Sequence, residues 1–187
     1  MRTVLIAGAA GFIGSHVAEE AERAGLMPRL MMHHRRPPLP GRAYSTVAAD
    51  LTEPETLAAA CDGVDVLLHC APYVGSDPAE SARVNERGTR HLVTAARRAG
   101  VERIIYVSTA SVYGRGTFRG VTPTQLGRNP GSCASEGRAR AEDAVLEFGG
   151  TVLRPHLVHG REGTDGSRPA WYGYCGRCPA PWRTGPP

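Results

Sequence analysis

Gly8, Gly11 and Gly14 stand three residues apart at the seam between an apolar run, Thr3 to Ala7, and a stretch of helical spacing, Phe12 to Ala24. Such a seam can hold phosphate without any charged side chain. Gly8 permits a tight turn, Gly11 lets the backbone come close to a pyrophosphate, and Gly14 lets the helix pack near the strand. The amides of the first helical turn, around Phe12 and Ile13, have no acceptor inside the helix and face the phosphates. Further along, Arg35 and Arg36 carry guanidinium groups that suit a phosphate, the other reading being a solvated basic loop. His156 carries an imidazole, a group that serves in proton transfer, against a plain structural role. Cys175 and Cys178 form a C-x-x-C pair, but a zinc site needs two more ligands and there is no second pair, so no metal is expected.

The elements that must position these groups alternate along the chain. Thr3 to Ala7, Leu30 to Met32, Val47 to Ala49, Val64 to Cys70, Arg103 to Val107 and Thr151 to Leu153 read as strands, the last of them buried. Between them lie helical stretches. Phe12 to Ala24 stops at Gly25, and Pro54 to Cys61 starts behind a Thr52 cap. Ala79 to Ala99 reads as one long helix ended by Gly100, and Ser135 to Phe148 ends at Gly149-Gly150. Strand and helix in alternation predict an α/β fold, a doubly wound parallel sheet of the Rossmann type with strand order 3-2-1-4-5. Ligands then bind along the edge where the strands end.

The bulk numbers narrow the class. A chain of 187 residues suits one domain with a short appendage and is long enough for a real core. The net charge is +4, and all 22 basic residues are arginine. The one tight basic cluster is His33 to Arg36, too little for a nucleic-acid face. No stretch is long enough to span a membrane. The five cysteines, an odd count, do not form a secreted disulfide framework; Cys61, Cys70 and Cys133 read as small core or site residues of a cytoplasmic protein.

Six motifs occur in order: the G-x-x-G-x-x-G loop; Asp50-Leu51; His69-Cys70-Ala71-Pro72; Asn85 with Gly88-Thr89; V-S-T-A-S-V-Y-G from Val107 to Gly114; and Leu153-Arg154-Pro155. Together, over about residues 1 to 160, they resemble the short-chain dehydrogenase/reductase superfamily, especially its extended branch of nucleotide-sugar epimerases, dehydratases and reductases. The resemblance implies a bound NAD or NADP. Asp50-Leu51 would meet the adenine and Cys70-Ala71-Pro72 would pass the ribose, with Asn85, Ser108, Arg138 and Pro155 further along the cofactor. At the end of the second strand, near Met32 or His33, an acidic residue would bind the ribose hydroxyls of NAD. None is present and Arg35-Arg36 follow, which favours NADP.

The family's chemistry is hydride transfer coupled to proton transfer, by a Tyr with a Lys four residues later and a Ser or Thr. By resemblance Thr109 takes the Ser/Thr place. Arg138-Ala139-Arg140-Ala141-Glu142 fits the second half of the Tyr-Lys element, which puts Arg138 at the Lys place and Ala134 at the Tyr place. Alanine carries no proton, and arginine holds a ribose hydroxyl without relaying protons. Tyr113, Ser132, Cys133, Ser135, His156 and His159 are the nearby alternatives, and each also has a structural reading.

Past Gly160 the strand and helix signals stop, so residues 161–187 are expected as an irregular tail, with the family's substrate lobe missing. Read from the last base of each codon, with GC-rich codons assumed, the stretch around Trp171 to Cys178 becomes an amphipathic helix, which raises a frameshift between Gly160 and Ala170. Two functions stay open. One is an NAD(P)-dependent oxidoreductase, epimerase or dehydratase acting on a nucleotide sugar or related keto or hydroxy substrate. The other is a non-catalytic NADP-binding remnant or cofactor sensor. The resemblance also implies a homodimer through the helices Ala79 to Ala99 and Ser135 to Phe148, whose apolar faces serve equally well as core.

Overall fold

A computed structural model describes residues 1–33, 44–161 and 169–172. Six strands, β1 (Thr3–Ala7), β2 (Met27–Met32), β3 (Ser45–Ala48), β4 (Val66–His69), β5 (Arg103–Val107) and β6 (Thr151–Leu153), form one sheet in the order β3-β2-β1-β4-β5-β6. Every pairing in it is parallel. This is the Rossmann order expected from the alternation of elements, extended by β6.

β1 is apolar from Val4 to Ala7 because it lies inside the sheet with both faces covered. Its side chains alternate between two cores. Leu5 and Ala7 join Leu67, Ile104 and Tyr106 beneath α2 (Pro54–Cys61), α4 (Thr89–Arg98) and α5 (Cys133–Phe148). Val4 and Ile6 join Leu30 and Ala18 beneath α1 (Phe12–Arg23). Ser132 opens α5 with a capping box shared with Ser135, and Gly149 closes it at φ +89°. Leu92, Val93 and Ala96 of α4 and Ala141, Ala144 and Val145 of α5 all lie in the first core, so these apolar faces are used within the chain.

Three expectations are corrected. The long helix from Ala79 is three consecutive segments: α3 (Pro78–Ser81), a π-helical stretch (Ala82–Gly88) and α4. The widened turn coincides with Asn85, whose amide bonds across to Tyr73, and with Gly88, where a β-carbon would sit 2.9 Å from Leu51 Cβ. β6 is not buried: it is the sheet's edge, and Leu153 is 49% exposed. The region past Gly160 is not wholly irregular, since β7 (Val158–Arg161) pairs antiparallel with β8 (Pro169–Tyr172). Among the described residues no helix is long and apolar enough to cross a membrane.

Candidate functional site

β1 pairs with β2 on one side and β4 on the other, so the chain's winding reverses there, and a crevice opens outside the strand ends. The glycine loop fills this place. Gly8 turns at φ +85°, and a β-carbon on it would lie 2.5 Å from the Cys70 carbonyl oxygen. Gly14 presses so close that its β-carbon would lie 2.2 Å from Gly8 O. The Gly11 amide closes the turn onto Gly8 O at 2.9 Å. Gly11 is also the N-cap of α1 and carries no side chain to cap it, so the first-turn amides look for an acceptor outside the helix. No acidic residue stands in that first turn to compete with an anion.

Beside this turn lies a cavity of about 340 Å³, lined among others by Gly8, His33, Asp50, Leu51, Ala71 and Arg83. Asp50 is tightly held. Its Oδ1 accepts from the Thr52 amide at 2.8 Å and the Thr52 hydroxyl at 2.9 Å, while Oδ2 meets His33 Nε2 at 2.8 Å. Burial works to raise its pKa, but the Thr52 amide, the Thr52 hydroxyl and His33 together outweigh this and hold the carboxyl below its usual range. Sequence reasoning placed Gly8, Asp50, Leu51 and Ala71 here. It missed Arg83, which the π-helical stretch brings to the cavity and which Glu80 pairs at 2.8 Å. It read His33 as a non-acidic residue and as part of the basic cluster, not as a partner of Asp50. Phe12 and Ile13 lie at the start of α1, and their side chains line a separate apolar groove of about 580 Å³ with Val17, Leu26 and Leu68. Arg35, Arg36, Cys175 and Cys178 lie outside the described residues, as does the stretch that a frameshift would reinterpret apart from β8. Burial pushes the Cys70 thiol up to about 12 and the Cys61 thiol to about 11, which makes both inert near neutral pH. Asn85 is buried, with its amide group engaged by Tyr73 and Ser81.

At the other end, past β5, the sequence-derived residues gather around a buried carboxylate. Glu142 of α5 is fully buried. Arg154 grips it through Nε at 2.9 Å and Nη2 at 2.8 Å, and the Ser108 hydroxyl donates to it at 2.5 Å. Arg154 Nη1 also donates to the Tyr113 hydroxyl at 2.6 Å, and the guanidinium stands 5.1 Å from that ring's centre. The Ser108 side chain is thus committed to the scaffold. Thr109 is partly exposed, and its hydroxyl oxygen accepts from the Ser111 amide at 3.2 Å. The Pro155 carbonyl takes the Ala110 amide at 2.9 Å, tying the L-R-P turn to this loop. His156 is exposed. Among the described residues Arg138 has no carboxylate partner, and its Nε is buried without a hydrogen bond, as are Tyr106 Oη and His69 Nδ1 nearby. Burial depresses the Arg138 pKa. Burial first, and Arg138 second, drive His69 down to about 4. The Glu142–Arg154 pair was not read from the sequence, although a carboxylate among Ala141, Ala144 and Val145 signals a buried counter-charge.

Residues 4–136, more than half the chain, match the model of the NAD dependent epimerase/dehydratase family. The chain belongs to this family. The similarity extends to a 4-hydroxy-2-methyl-3-oxo-4-farnesyl-3,4-dihydroquinoline-1-oxide ketoreductase of Stigmatella aurantiaca, 28% identical over 88% of this chain and 52% of the relative. It also reaches a 3-beta-hydroxysteroid dehydrogenase of Mycolicibacterium neoaurum, 34% identical over 58% of this chain and 32% of that one. Among solved structures, the Bordetella bronchiseptica enzyme WbmG in complex with NAD and UDP is 26% identical and superposes with a TM-score of 0.75 over 86% of this chain and 55% of its own. The chain spans about half or less of the length of these relatives. Ala134, the residue that the sequence resemblance sets at the Tyr place, is only 6% exposed and offers a methyl group.

Proposed function

We propose that this chain binds NADP, with NAD as the weaker alternative, and belongs to an oxidoreductase, epimerase or dehydratase acting on a nucleotide sugar or related keto or hydroxy compound. The observation that carries the reading is the turn from Gly8 to Gly14. At Gly8 and Gly14 its backbone is packed so closely that no side chain fits, and α1 opens there without a side-chain cap. A pyrophosphate is the group such a cradle fits. The loop would hold the diphosphate, the Asp50-Leu51 cavity the adenosine, and Thr109, Arg138 and Pro155 would line the way to the nicotinamide, with the Ser108 side chain bracing them through Glu142. Cys70, Ala71 and Pro72 would pass beside the ribose. The bound dinucleotide supplies the hydride; the protein orients it. Arg138 suits a ribose hydroxyl because its buried Nε–H lacks an acceptor.

A second reading, binding without turnover, is favoured by one observation: Ala134 leaves no proton donor at the Tyr place. Titrating NADPH and NADH by fluorescence, beside a reduction assay on a 4-keto sugar nucleotide, separates the two. Turnover that survives His156→Ala and is lost with Thr109→Ala supports the enzyme reading with Thr109 as the oxygen-positioning group. Binding without turnover supports the second reading, and failure to bind either dinucleotide refutes both.

A further inference from the structure

The cavity beside the glycine turn has aliphatic walls: Met31, Ala49, Leu51, Ala71 and Val84. Walls of this kind suit a flat, uncharged ring. Among the described residues Arg83 is the one guanidinium that lines it. Arg83 and Val84 reach the cavity as successive residues of the π-helical stretch.

The way Arg83 is held limits what it can do. Glu80, three residues earlier, accepts from its Nε at 3.1 Å and from its Nη2 at 2.8 Å. This fork occupies one edge of the guanidinium and fixes the plane of the group. Among the described residues no other hydrogen bond reaches Arg83, and no aromatic ring stacks on it. Its side chain is 46% exposed, so a ligand in the cavity can meet the plane. The charges nearby argue against a phosphate at this point. Glu80 and Asp50 are two carboxylates set against the one guanidinium, and Asp50 also acts on the Arg83 charge. His33 is engaged with Asp50. The balance is therefore not positive, whichever state His33 holds. A phosphate monoester, with nearly two negative charges, gains little there. A purine carries no charge to be repelled, and its π face attracts a guanidinium. We propose that Arg83, with its plane fixed by Glu80, stacks on the adenine of the bound dinucleotide. This rests on the dinucleotide reading above and adds the pair of residues that grips the base.

The test is affinity measured by fluorescence titration on the full 187-residue chain. NADH and NADPH are titrated directly. ADP and inorganic pyrophosphate, which share a diphosphate but not a base, are measured by their displacement of bound NADH. Wild type is compared with Arg83→Met, which keeps the length of the side chain and loses its charge and plane, and with Glu80→Gln, which slackens the fork. Arg83→Met should weaken NADH, NADPH and ADP by one common factor of about two- to fivefold, the worth of one cation–π contact at a part-exposed site, and leave pyrophosphate unchanged. Glu80→Gln should give a smaller loss with the same three ligands. A loss confined to NADPH would place Arg83 on the 2′-phosphate. An equal loss for pyrophosphate would make its role structural, and no loss at all would mean no contact. Each of these three results overturns the inference and leaves the dinucleotide reading intact. Absence of binding by either dinucleotide to wild type overturns both.

Discussion

Replacing Arg154 with methionine tests how the site's far end is held together. The side chain keeps its bulk but loses its charge, and Glu142 is left fully buried with fewer partners. Breaking one side of a buried ion pair typically destabilises by about 3–5 kcal/mol, because the remaining charge is stranded. Two contacts soften the loss here: the Ser108 hydroxyl at 2.5 Å, and Arg128, whose Nη1 lies 3.6 Å from Glu142 Oε2. The lower end, about 3 kcal/mol, is therefore expected, a large part of the roughly 5–15 kcal/mol that holds a domain together. For a domain of this size that lowers Tm by about 6–12 °C. Urea denaturation followed by far-UV circular dichroism reads it directly. The double variant Glu142→Gln with Arg154→Met removes the stranded charge as well, so it should be more stable than Arg154→Met alone. A loss below about 1 kcal/mol in the single variant, or a double variant that is the less stable of the two, would refute the account of this pair as the brace between α5, β6 and the Tyr113 turn.

Two further perturbations address the other end and the core. Gly14→Ala would place a β-carbon 2.2 Å from Gly8 O; dinucleotide affinity should fall at least about tenfold, and an unchanged Kd would mean the turn does not hold the diphosphate. His69, ordinarily titrating at 6.5, is held neutral to about 4 by burial and by Arg138, so its contribution to stability is present above pH 6.5 and is lost as pH falls toward 4. Between pH 7 and about 4.5 the wild type should lose about 2–3 kcal/mol more than His69→Gln, as measured by urea midpoints; equal losses would show that His69 is not the group responsible.

The glycine spacing, the strand-helix alternation and the order of motifs were legible in the sequence because each is local. A turn that must admit no side chain needs glycine wherever it occurs, and a central parallel strand must be apolar on both faces. Gly8, Gly14 and β1 could therefore be read by inspection. Asp50, Leu51 and Ala71 were placed by the resemblance, and they line one cavity because all three follow strands whose ends share an edge. What escaped reading was pairwise. Arg83 meets the cavity through a π-helical turn that no periodicity announces. Glu142 and Arg154 are twelve residues apart and become partners only when α5 and the turn after β6 close on each other. The burial of β6 was misjudged for a related reason: its composition suits a buried strand, but its exposure depends on whether a neighbour lies beyond it, and among the described residues none does.

The sequence by itself determined the backbone of the candidate site: where the chain turns and where a phosphate could approach. Tertiary structure alone decided the charges. It set Asp50 against His33, left the Nε of Arg138 without an acceptor, and enclosed Glu142 with Arg154. Backbone conformation is governed by each residue and its near neighbours, whereas the state of an ionisable group depends on solvent exclusion and on partners brought close only by folding.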